Sequence, residues 1–282
     1  MQRNVDTRGR EIWLTERQSP DVSLSLRIKQ VLWQETTPYQ EILVVDTDAY
    51  GHVLVLDGAI QTTDRDEYVY HEMITHVPLA IHPRPRRVAV IGGGDGGAIR
   101  EILKHPEVEE AHLVEIDGRV VELARRFFPA IASRLDDPRA HVHITDGIQW
   151  VEHARELDVL IVDSTDPVGP AEGLFGEQFY RAAAAALGPD GVLVVQSESP
   201  MLEPDIIQRA VRGIGAAFPG VWLYLAAIPT YPTGLWSFTL GSKGPRPDHL
   251  RDNLAAVATR YWTPDVHRAS FALPPFVKEL LP

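Results

Sequence analysis

The sequence predicts a doubly wound α/β sheet preceded by a small N-terminal antiparallel β domain. From Val88 onward, short apolar runs alternate with helical segments, a pattern typical of parallel strands joined by right-handed crossovers. A glycine-rich turn, Gly92–Gly97, joins the first of these strands to a helix, as at the nucleotide site of such sheets. Between Leu24 and Thr63 the pattern is strand-like, with apolar and polar residues alternating at its start, which indicates antiparallel strands.

The predicted elements follow in order along the chain. In the N-terminal part, two apolar runs flank the turn-rich segment Asp46–Gly51. A helix is predicted over Asp66–Ile81, before prolines break the chain. We therefore expect an N-terminal β-strand domain of residues 1–64 and a Rossmann-like catalytic domain of residues 65–282. The predicted strands of the second domain are Val88–Ile91, Ala111–Glu115, Val142–Thr145, Val159–Val162, Val192–Gln196, Val221–Ala227 and Trp236–Gly241, and its helices include Arg119–Phe128 and Gly176–Leu187.

Composition and charge restrict the classes of function. The chain has 282 residues, a formal net charge of -12 and no cysteine. The lack of cysteine excludes disulfides, zinc–thiolate sites and a cysteine nucleophile. The acidic balance argues against nucleic acid or an anionic membrane as a partner and suits a cationic substrate. We expect a cytoplasmic enzyme, because residues 1–11 lack the apolar core of a signal peptide and no apolar run could span a bilayer.

The histidines indicate no metal site. Most of the 11 histidines are expected at the surface. His82, His105, His141 and His143 lack the spacing of metal ligands. We therefore expect no metal.

A carboxylate within the glycine-rich turn, Asp95, changes the kind of ligand expected there. Glycines bring bare backbone close to a ligand. A carboxylate in the same loop would repel a pyrophosphate and attract a cation. The loop therefore favours a positively charged nucleoside over NAD.

Acidic side chains also follow the next predicted strands, at the edge where open α/β sheets bind ligands. They are Glu115 with Asp117, Asp146, and Asp163 with Asp166. Glu115 follows the glycine turn at about the spacing of an acid that binds ribose hydroxyls. A single such residue is often only a helix cap or turn former. Their succession predicts a pocket for more than one positive charge.

The pair Asp163 and Asp166 has its own candidate chemistry. A primary amine has a pKa of roughly 10.4, so its neutral, nucleophilic form costs about 4.6 kcal/mol at pH 7. An amine nucleophile therefore needs a base, and Asp163, on the strand end, is the better placed of the two. The segment Pro167–Phe175 indicates a lid, with an ordinary exposed loop as the alternative. Aromatic residues around Tyr70 and Tyr231 suit the methylenes and cationic ends of a diamine.

Taken together, these motifs resemble those of the spermidine synthases, the polyamine aminopropyltransferases, over nearly the whole chain. The segments that carry the resemblance are Trp13–Glu16, Pro38–Leu43, Val55–Gly58, Tyr70–Glu72, Gly92–Gly97, Val114–Asp117, Asp163–Pro170 and Ile228–Gly234. The resemblance implies a methyltransferase-like Rossmann domain and a homodimer or homotetramer. It also implies transfer of the aminopropyl group of decarboxylated S-adenosylmethionine to putrescine, giving spermidine and methylthioadenosine, without a cofactor.

The resemblance further implies roles for individual residues. Asp163 would be the proton acceptor, Glu115 would bind the ribose of the donor, and Asp146 with Gly147 would bind its adenine. The implied nucleoside-binding set is Gln40, Gly92, Gly94, Asp95, Glu115, Asp146, Gly147 and Pro170. The implied amine-binding set is Tyr70, His71, Asp95, Asp163, Asp166 and Tyr231.

Other functions remain open from the sequence. A small-amine N-methyltransferase would share the fold, although the carboxylate of intact S-adenosylmethionine would be repelled by Asp95. A non-catalytic nucleoside- or polyamine-binding protein would need no base such as Asp163. An NAD-dependent oxidoreductase is disfavoured by Asp95. Among aminopropyl acceptors, putrescine, cadaverine, agmatine and spermidine all remain open.

Overall fold

The computed structural model describes residues 11–164, 173–252, 254 and 257–281. Within these ranges the chain forms a five-stranded N-terminal sheet and a seven-stranded central sheet flanked by helices. The strands are β1 (Ile12–Arg17), β2 (Ser23–Thr36), β3 (Glu41–Thr47), β4 (Gly51–Leu56), β5 (Ala59–Thr63), β6 (Arg87–Gly92), β7 (Glu110–Glu115), β8 (Ala140–Ile144), β9 (Leu157–Asp163), β10 (Leu187–Gln196), β11 (Gly220–Ala227) and β12 (Leu235–Ser242). The helices are α1 (Glu67–Ile81), α2 (Gly97–Ile102), α3 (Gly118–Phe127), α4 (Gly147–His153), α5 (Glu177–Ala186), α6 (Pro204–Gly215), α7 (Pro264–Ser270) and α8 (Pro275–Lys278).

The N-terminal sheet is an antiparallel meander in which β1 to β5 pair in sequence order. The sheet begins at Ile12, earlier than the predicted start at Leu24. The prediction did not include β1 because this edge strand is mostly exposed and its sequence pattern gives little signal. Buried residues of β3 and β4, such as Ile42 and Leu54, pack with Leu123 of α3. This packing fixes the N-terminal sheet over one end of the central sheet, while the domain boundary after residue 64 stays a prediction.

The central sheet has the strand order β11-β12-β10-β9-β6-β7-β8, with parallel pairing from β10 through β8. After β6 the chain continues to β7 and β8 on one side of this strand, and it later returns so that β9 pairs with the other side. The strand order therefore reverses between β6 and β9. Gly92 at the end of β6 lies opposite Asp163 at the end of β9. A crevice at such a reversal is where open α/β sheets bind ligands.

The expectation of parallel strands throughout the central sheet is wrong at β12. This strand runs antiparallel to both neighbours and lies between β10 and β11. The connection 228–234 that precedes it is short and holds no helix, whereas a crossover between parallel strands needs about a dozen residues or more. The last two strands therefore form a hairpin, and its turn carries Tyr231 toward the crevice.

Alternating side chains of the central strands build two apolar layers. Val88 and Val90 of β6 pack on the face covered by α1 and α2. Ala89 and Ile91 of the same strand pack on the opposite face, which α5 covers. Because both faces are buried, the inner parallel strands β6 and β9 carry continuous apolar runs, Val88–Ile91 and Val159–Val162. No helix in the described part of the chain is long and apolar enough to cross a membrane.

Five of the 11 histidines are buried, while the other six are partly or fully exposed, in line with the expectation that most lie at the surface. The buried histidines are His71, His76, His82, His105 and His267. Each has a hydrogen-bond or ion-pair partner inside the protein, which offsets the cost of burying an imidazole. Within the described residues, no group of histidines and carboxylates could hold a metal ion.

Candidate active site

A cavity of about 250 Å³ opens at the reversal point between β6 and β9. Every predicted site residue that the structure describes lines it. These residues are Gln40, Tyr70, His71, Gly92, Gly94, Asp95, Glu115, Asp146, Gly147, Asp163 and Tyr231. Asp166 and Pro170 lie outside the described residues, as does most of the predicted lid segment Pro167–Phe175.

The glycine turn is shaped by its contact with the end of β9. Gly92 and Gly93 have positive φ angles of 80° and 66°, which glycine adopts without strain. A Cβ at Gly92 would lie 2.2 Å from the carbonyl oxygen of Asp163, and Gly93 donates its N–H to that oxygen at 2.8 Å. No larger residue fits at Gly92. The close packing and the Gly93 hydrogen bond fix the position of the glycine turn relative to Asp163.

Asp163 lies at the end of β9 and faces the cavity. The Tyr70 hydroxyl donates a hydrogen bond of 2.5 Å to its Oδ1. Burial raises the pKa of Asp163 to about 6, a rise to which Asp95 adds and which His71 and Tyr70 oppose. A carboxylate with this pKa is largely ionised at neutral pH and is more basic than an exposed aspartate, as a general base should be.

Asp95 is the second carboxylate of the cavity and is held from two sides. Its Oδ1 accepts a hydrogen bond of 2.8 Å from the N–H of Gly97, and its Oδ2 lies 3.2 Å from Nε2 of His71. Burial alone would raise the pKa of Asp95, but the neighbouring His71 outweighs burial and leaves that pKa below its ordinary value. Asp95 is therefore ionised and fixed in orientation at neutral pH.

Glu115 lies at the end of β7 and lines the cavity beside the glycine loop. Its Oε1 accepts a hydrogen bond of 2.9 Å from the N–H of Asp117. Burial raises the pKa of Glu115 to about 7. A Cβ at Gly94 would lie 2.8 Å from Glu115 Oε2, so a glycine is needed where the loop passes this carboxylate. A buried carboxyl beside a glycine loop suits the hydroxyls of a ribose.

Asp117 and Gln40 connect the N-terminal sheet to the same end of the cavity. The carboxylate of Asp117 caps α3 through the N–H of Arg119 at 3.1 Å. It also accepts hydrogen bonds from Gln40 at 2.9 Å and Thr37 at 2.7 Å. Asp117, which sequence reasoning placed among the acidic strand ends, thus orients Gln40 rather than lining the cavity itself.

Asp146 and Gly147 follow β8 and begin α4. Asp146 is the N-cap of this helix, and its Oδ1 accepts the N–H of Ile148 at 2.7 Å. A Cβ at Gly147 would lie 2.3 Å from Ile91 of β6, which explains the glycine. Asp146 therefore both caps α4 and lines the cavity, so the structural role of a helix cap and a role in the site are compatible for this residue.

An aromatic wall closes the opposite side of the cavity. The rings of Tyr70 and Tyr231 lie 5.3 Å apart, and Tyr231 meets Trp236 edge to face at 4.8 Å. The hydroxyl of Tyr231 donates to the carbonyl of Gln61 at 2.8 Å, which fixes the ring against the N-terminal sheet. Such a wall suits the methylene chain of a cationic ligand.

Sequence reasoning missed several side chains around the cavity. Glu16 of β1 and Gln196 of β10 line it, and Glu16 accepts the N–H of Ile60 at 2.8 Å. Glu67 and Arg100 form a largely buried ion pair behind His71, with nitrogen-to-oxygen distances of 2.8 and 3.0 Å. Only Glu16 carried a sequence signal, because it belongs to a segment of the family resemblance. The other contacts join distant elements and have no local pattern.

Comparison with known proteins agrees with the motifs. The model of the spermine/spermidine synthase domain matches residues 67–250, and the model of the spermidine synthase tetramerisation domain matches residues 12–64. The polyamine aminopropyltransferase of Moorella thermoacetica is 54% identical over 96% of this chain and 97% of its own length. That of Bacillus subtilis is 46% identical over 96% of this chain and 99% of its own length.

Solved structures give the same result. A spermidine synthase in complex with the transition-state analogue AdoDATO superposes with a TM-score of 0.91 at 39% identity, covering 100% of this chain and 98% of that one. The spermidine synthase of Thermotoga maritima gives 0.90 at 38% identity, covering 100% of this chain and 97% of that one. The resemblance inferred from the sequence motifs is confirmed. The chain belongs to the spermine/spermidine synthase family and is an aminopropyltransferase.

Proposed function

We propose that this enzyme transfers the aminopropyl group of decarboxylated S-adenosylmethionine to putrescine, giving spermidine and methylthioadenosine. The observation that carries the proposal is the pair of carboxylates at the reversal point, the buried Asp95 and the partly buried Asp163. The pKa of Asp95 lies below its ordinary value, whereas burial raises that of Asp163 to about 6. Such a pair suits a reaction that holds one amine as a cation and deprotonates another. The complex of a related spermidine synthase with AdoDATO supports the same chemistry.

The donor is proposed to lie along the glycine loop. Glu115 would accept hydrogen bonds from the ribose hydroxyls, and Asp146 with Gly147 would bind the adenine. Asp95 would bind the ammonium of the aminopropyl arm. In intact S-adenosylmethionine that arm also carries a carboxylate, and Asp95 would repel it. The charge of the loop therefore favours the decarboxylated donor.

The acceptor is proposed to lie against the aromatic wall, with its reacting nitrogen near Asp163. Asp163 takes the proton from this nitrogen, whose neutral form otherwise costs about 4.6 kcal/mol at pH 7. Nitrogen, carbon and sulfur must then align at an approach of ~3–3.5 Å. The N–C bond forms as the C–S bond breaks, and sulfur leaves as a neutral thioether. Because the sulfonium is already a good leaving group, we propose a reaction without metal or other cofactor.

The enzyme is proposed to act as a homodimer or homotetramer. The match of residues 12–64 to a tetramerisation domain supports this assembly. We also propose a cytoplasmic location, since a chain without cysteine has no need of an oxidising compartment.

A panel of amines tests the choice of acceptor. The enzyme is incubated with decarboxylated S-adenosylmethionine and putrescine, cadaverine, agmatine or spermidine, and the products are identified by mass. We expect the highest kcat/KM with putrescine and a product of the mass of spermidine. A higher kcat/KM with cadaverine, agmatine or spermidine would overturn putrescine as the acceptor and leave aminopropyl transfer itself intact.

A further inference from the structure

A chain of four charged groups, three buried and one partly buried, lies behind the donor side of the cavity. His71 of α1 lies between two carboxylates, with Nδ1 2.6 Å from Glu67 and Nε2 3.2 Å from Asp95. On the far side, Arg100 of α2 binds both oxygens of Glu67, at 3.0 and 2.8 Å. The side chain of His71 is only 3% exposed, so solvent contributes little to its environment.

The geometry defines the protonation state of His71. A neutral imidazole carries one N–H, whereas an ionised carboxylate can only accept a hydrogen bond. Contacts from both ring nitrogens to carboxylates therefore need an imidazolium with two N–H groups. The ring also packs closely on Gly97, where a Cβ would lie only 2.3 Å from it. Burial alone would lower the pKa of His71, but Asp95 and Glu67 together raise it well above the ordinary value.

We propose that Glu67 is a positioning residue: fixed by Arg100, it holds His71 as an imidazolium, and His71 in turn holds Asp95 ionised and aimed at the ammonium of the donor. This inference rests on the proposed donor, whose aminopropyl ammonium would bind Asp95. His71 then acts on the donor through Asp95, and neither of its nitrogens is available to a substrate amine.

The charge on His71 matters because Asp95 is buried as well. Burial alone would raise the pKa of Asp95, and the imidazolium is the main influence that lowers it. A neutral His71 would leave Asp95 partly protonated and held only by the N–H of Gly97, so that donor binding would first have to ionise and orient it. The groups that face His71 or its partners are Glu67 and Tyr70 of α1, Asp95 of the glycine turn, Arg100 of α2 and Asp163 of β9.

The first measurement is the titration of His71 in Glu67→Gln. Glutamine keeps the size and an acceptor oxygen of Glu67 but removes the charge. The enzyme is labelled with 13C at histidine Cε1, and the His71 signal is assigned by its absence in His71→Gln. We expect this signal to stay constant between about pH 5 and 8 in the unaltered enzyme and to titrate in that range in Glu67→Gln. A signal that behaves alike in both proteins would overturn the proposal.

The second measurement separates positioning from a general loss of stability. In Glu67→Gln we expect the KM for the decarboxylated donor to rise about tenfold or more, with a smaller change in kcat and unchanged affinity for methylthioadenosine, which lacks the ammonium. Glu72→Gln is the matched control, because Glu72 is equally buried on α1 but binds the backbone of Arg260 and Trp262. It should lower the melting temperature without moving the His71 titration. Tighter donor binding in Glu67→Gln would contradict the proposal.

A double-mutant cycle completes the test. If Glu67 acts through the charge of His71, Glu67→Gln should add no further rise in donor KM when His71→Gln is already present. An equal additional rise would show that Glu67 acts by another route. Should Glu67→Gln fail to fold because Arg100 keeps only one of its two carboxylate partners, Glu101, the double variant Glu67→Gln/Arg100→Met takes its place. The titration needs no substrate, so it decides the charge of His71 even if the proposed transfer reaction fails.

Discussion

Replacing Asp163 with asparagine should stabilise the folded protein while it abolishes most activity. Burial raises the pKa of Asp163 from 3.8 to about 6, so keeping it ionised at pH 7 costs the folded state about 3 kcal/mol. Asparagine has the same size, carries no charge and can still accept the hydrogen bond of Tyr70. The free energy of unfolding should therefore rise by up to about 3 kcal/mol at pH 7.

The pH dependence of this gain has a definite sign. Below about pH 4, Asp163 is protonated in both the folded and unfolded states, and the substitution should change little. Between about pH 4 and 6 only the unfolded state ionises, so the gain grows with pH and reaches its full size above about pH 6. Thermal unfolding across this range measures it. Asp158→Ala is the control on the same strand, because Asp158 accepts the N–H groups of Arg86 and Arg87 and alanine has no acceptor to replace it, so this variant should be less stable.

The activity of Asp163→Asn should fall by the ~10²–10⁴-fold typical of a lost general base, with donor binding nearly unchanged. In the unaltered enzyme, kcat/KM should fall as the pH drops below about 6, as Asp163 becomes protonated. This acidic limb should be absent in the variant, whose deficit shrinks as rising pH supplies neutral amine. The reasoning is refuted if the variant is less stable than the parent at pH 7, or if turnover is unaffected.

Three further substitutions give distinct outcomes. Asp95→Asn should weaken binding of the decarboxylated donor by about tenfold or more and leave methylthioadenosine affinity nearly unchanged. Calorimetric titrations of both ligands measure this difference. Equal losses of affinity would show that Asp95 supports the structure of the glycine loop and does not bind the ammonium of the donor. Tyr70→Phe removes a hydrogen bond that lowers the pKa of Asp163, so the acidic limb of the pH–rate profile should move to higher pH, and an unmoved limb would contradict the assignment. Gly97→Ala places a Cβ 2.3 Å from His71, so it should lower both the melting temperature and donor affinity, whereas a parent-like enzyme would show that the ring can shift.

The sequence predicted the site well where local rules apply. Acidic residues after parallel strands must share one edge of the sheet, so the sequence alone predicts that Glu115, Asp146 and Asp163 lie around one cavity. The glycine turn was equally readable, because a positive φ and a close approach to Asp163 both demand glycine at Gly92. These features depend on strand period and turn chemistry, which short segments encode.

The parts that were missed depend on long-range packing. The pairing of Glu67 with Arg100 joins α1 to α2, and nothing in either segment identifies the partner. The burial of His76 is similar, since it is set by contacts with His105 and Glu101 from outside its own helix. The antiparallel insertion of β12 was misjudged because periodicity gives the type of an element but not the direction of its pairing.

Donor choice tests the central claim most directly. The enzyme is given putrescine with either decarboxylated or intact S-adenosylmethionine, and both nucleoside products are quantified by mass. Aminopropyl transfer predicts methylthioadenosine and spermidine in equal amounts from the decarboxylated donor and no S-adenosylhomocysteine from the intact one. S-adenosylhomocysteine together with a methylated diamine would contradict the account and make the enzyme a methyltransferase.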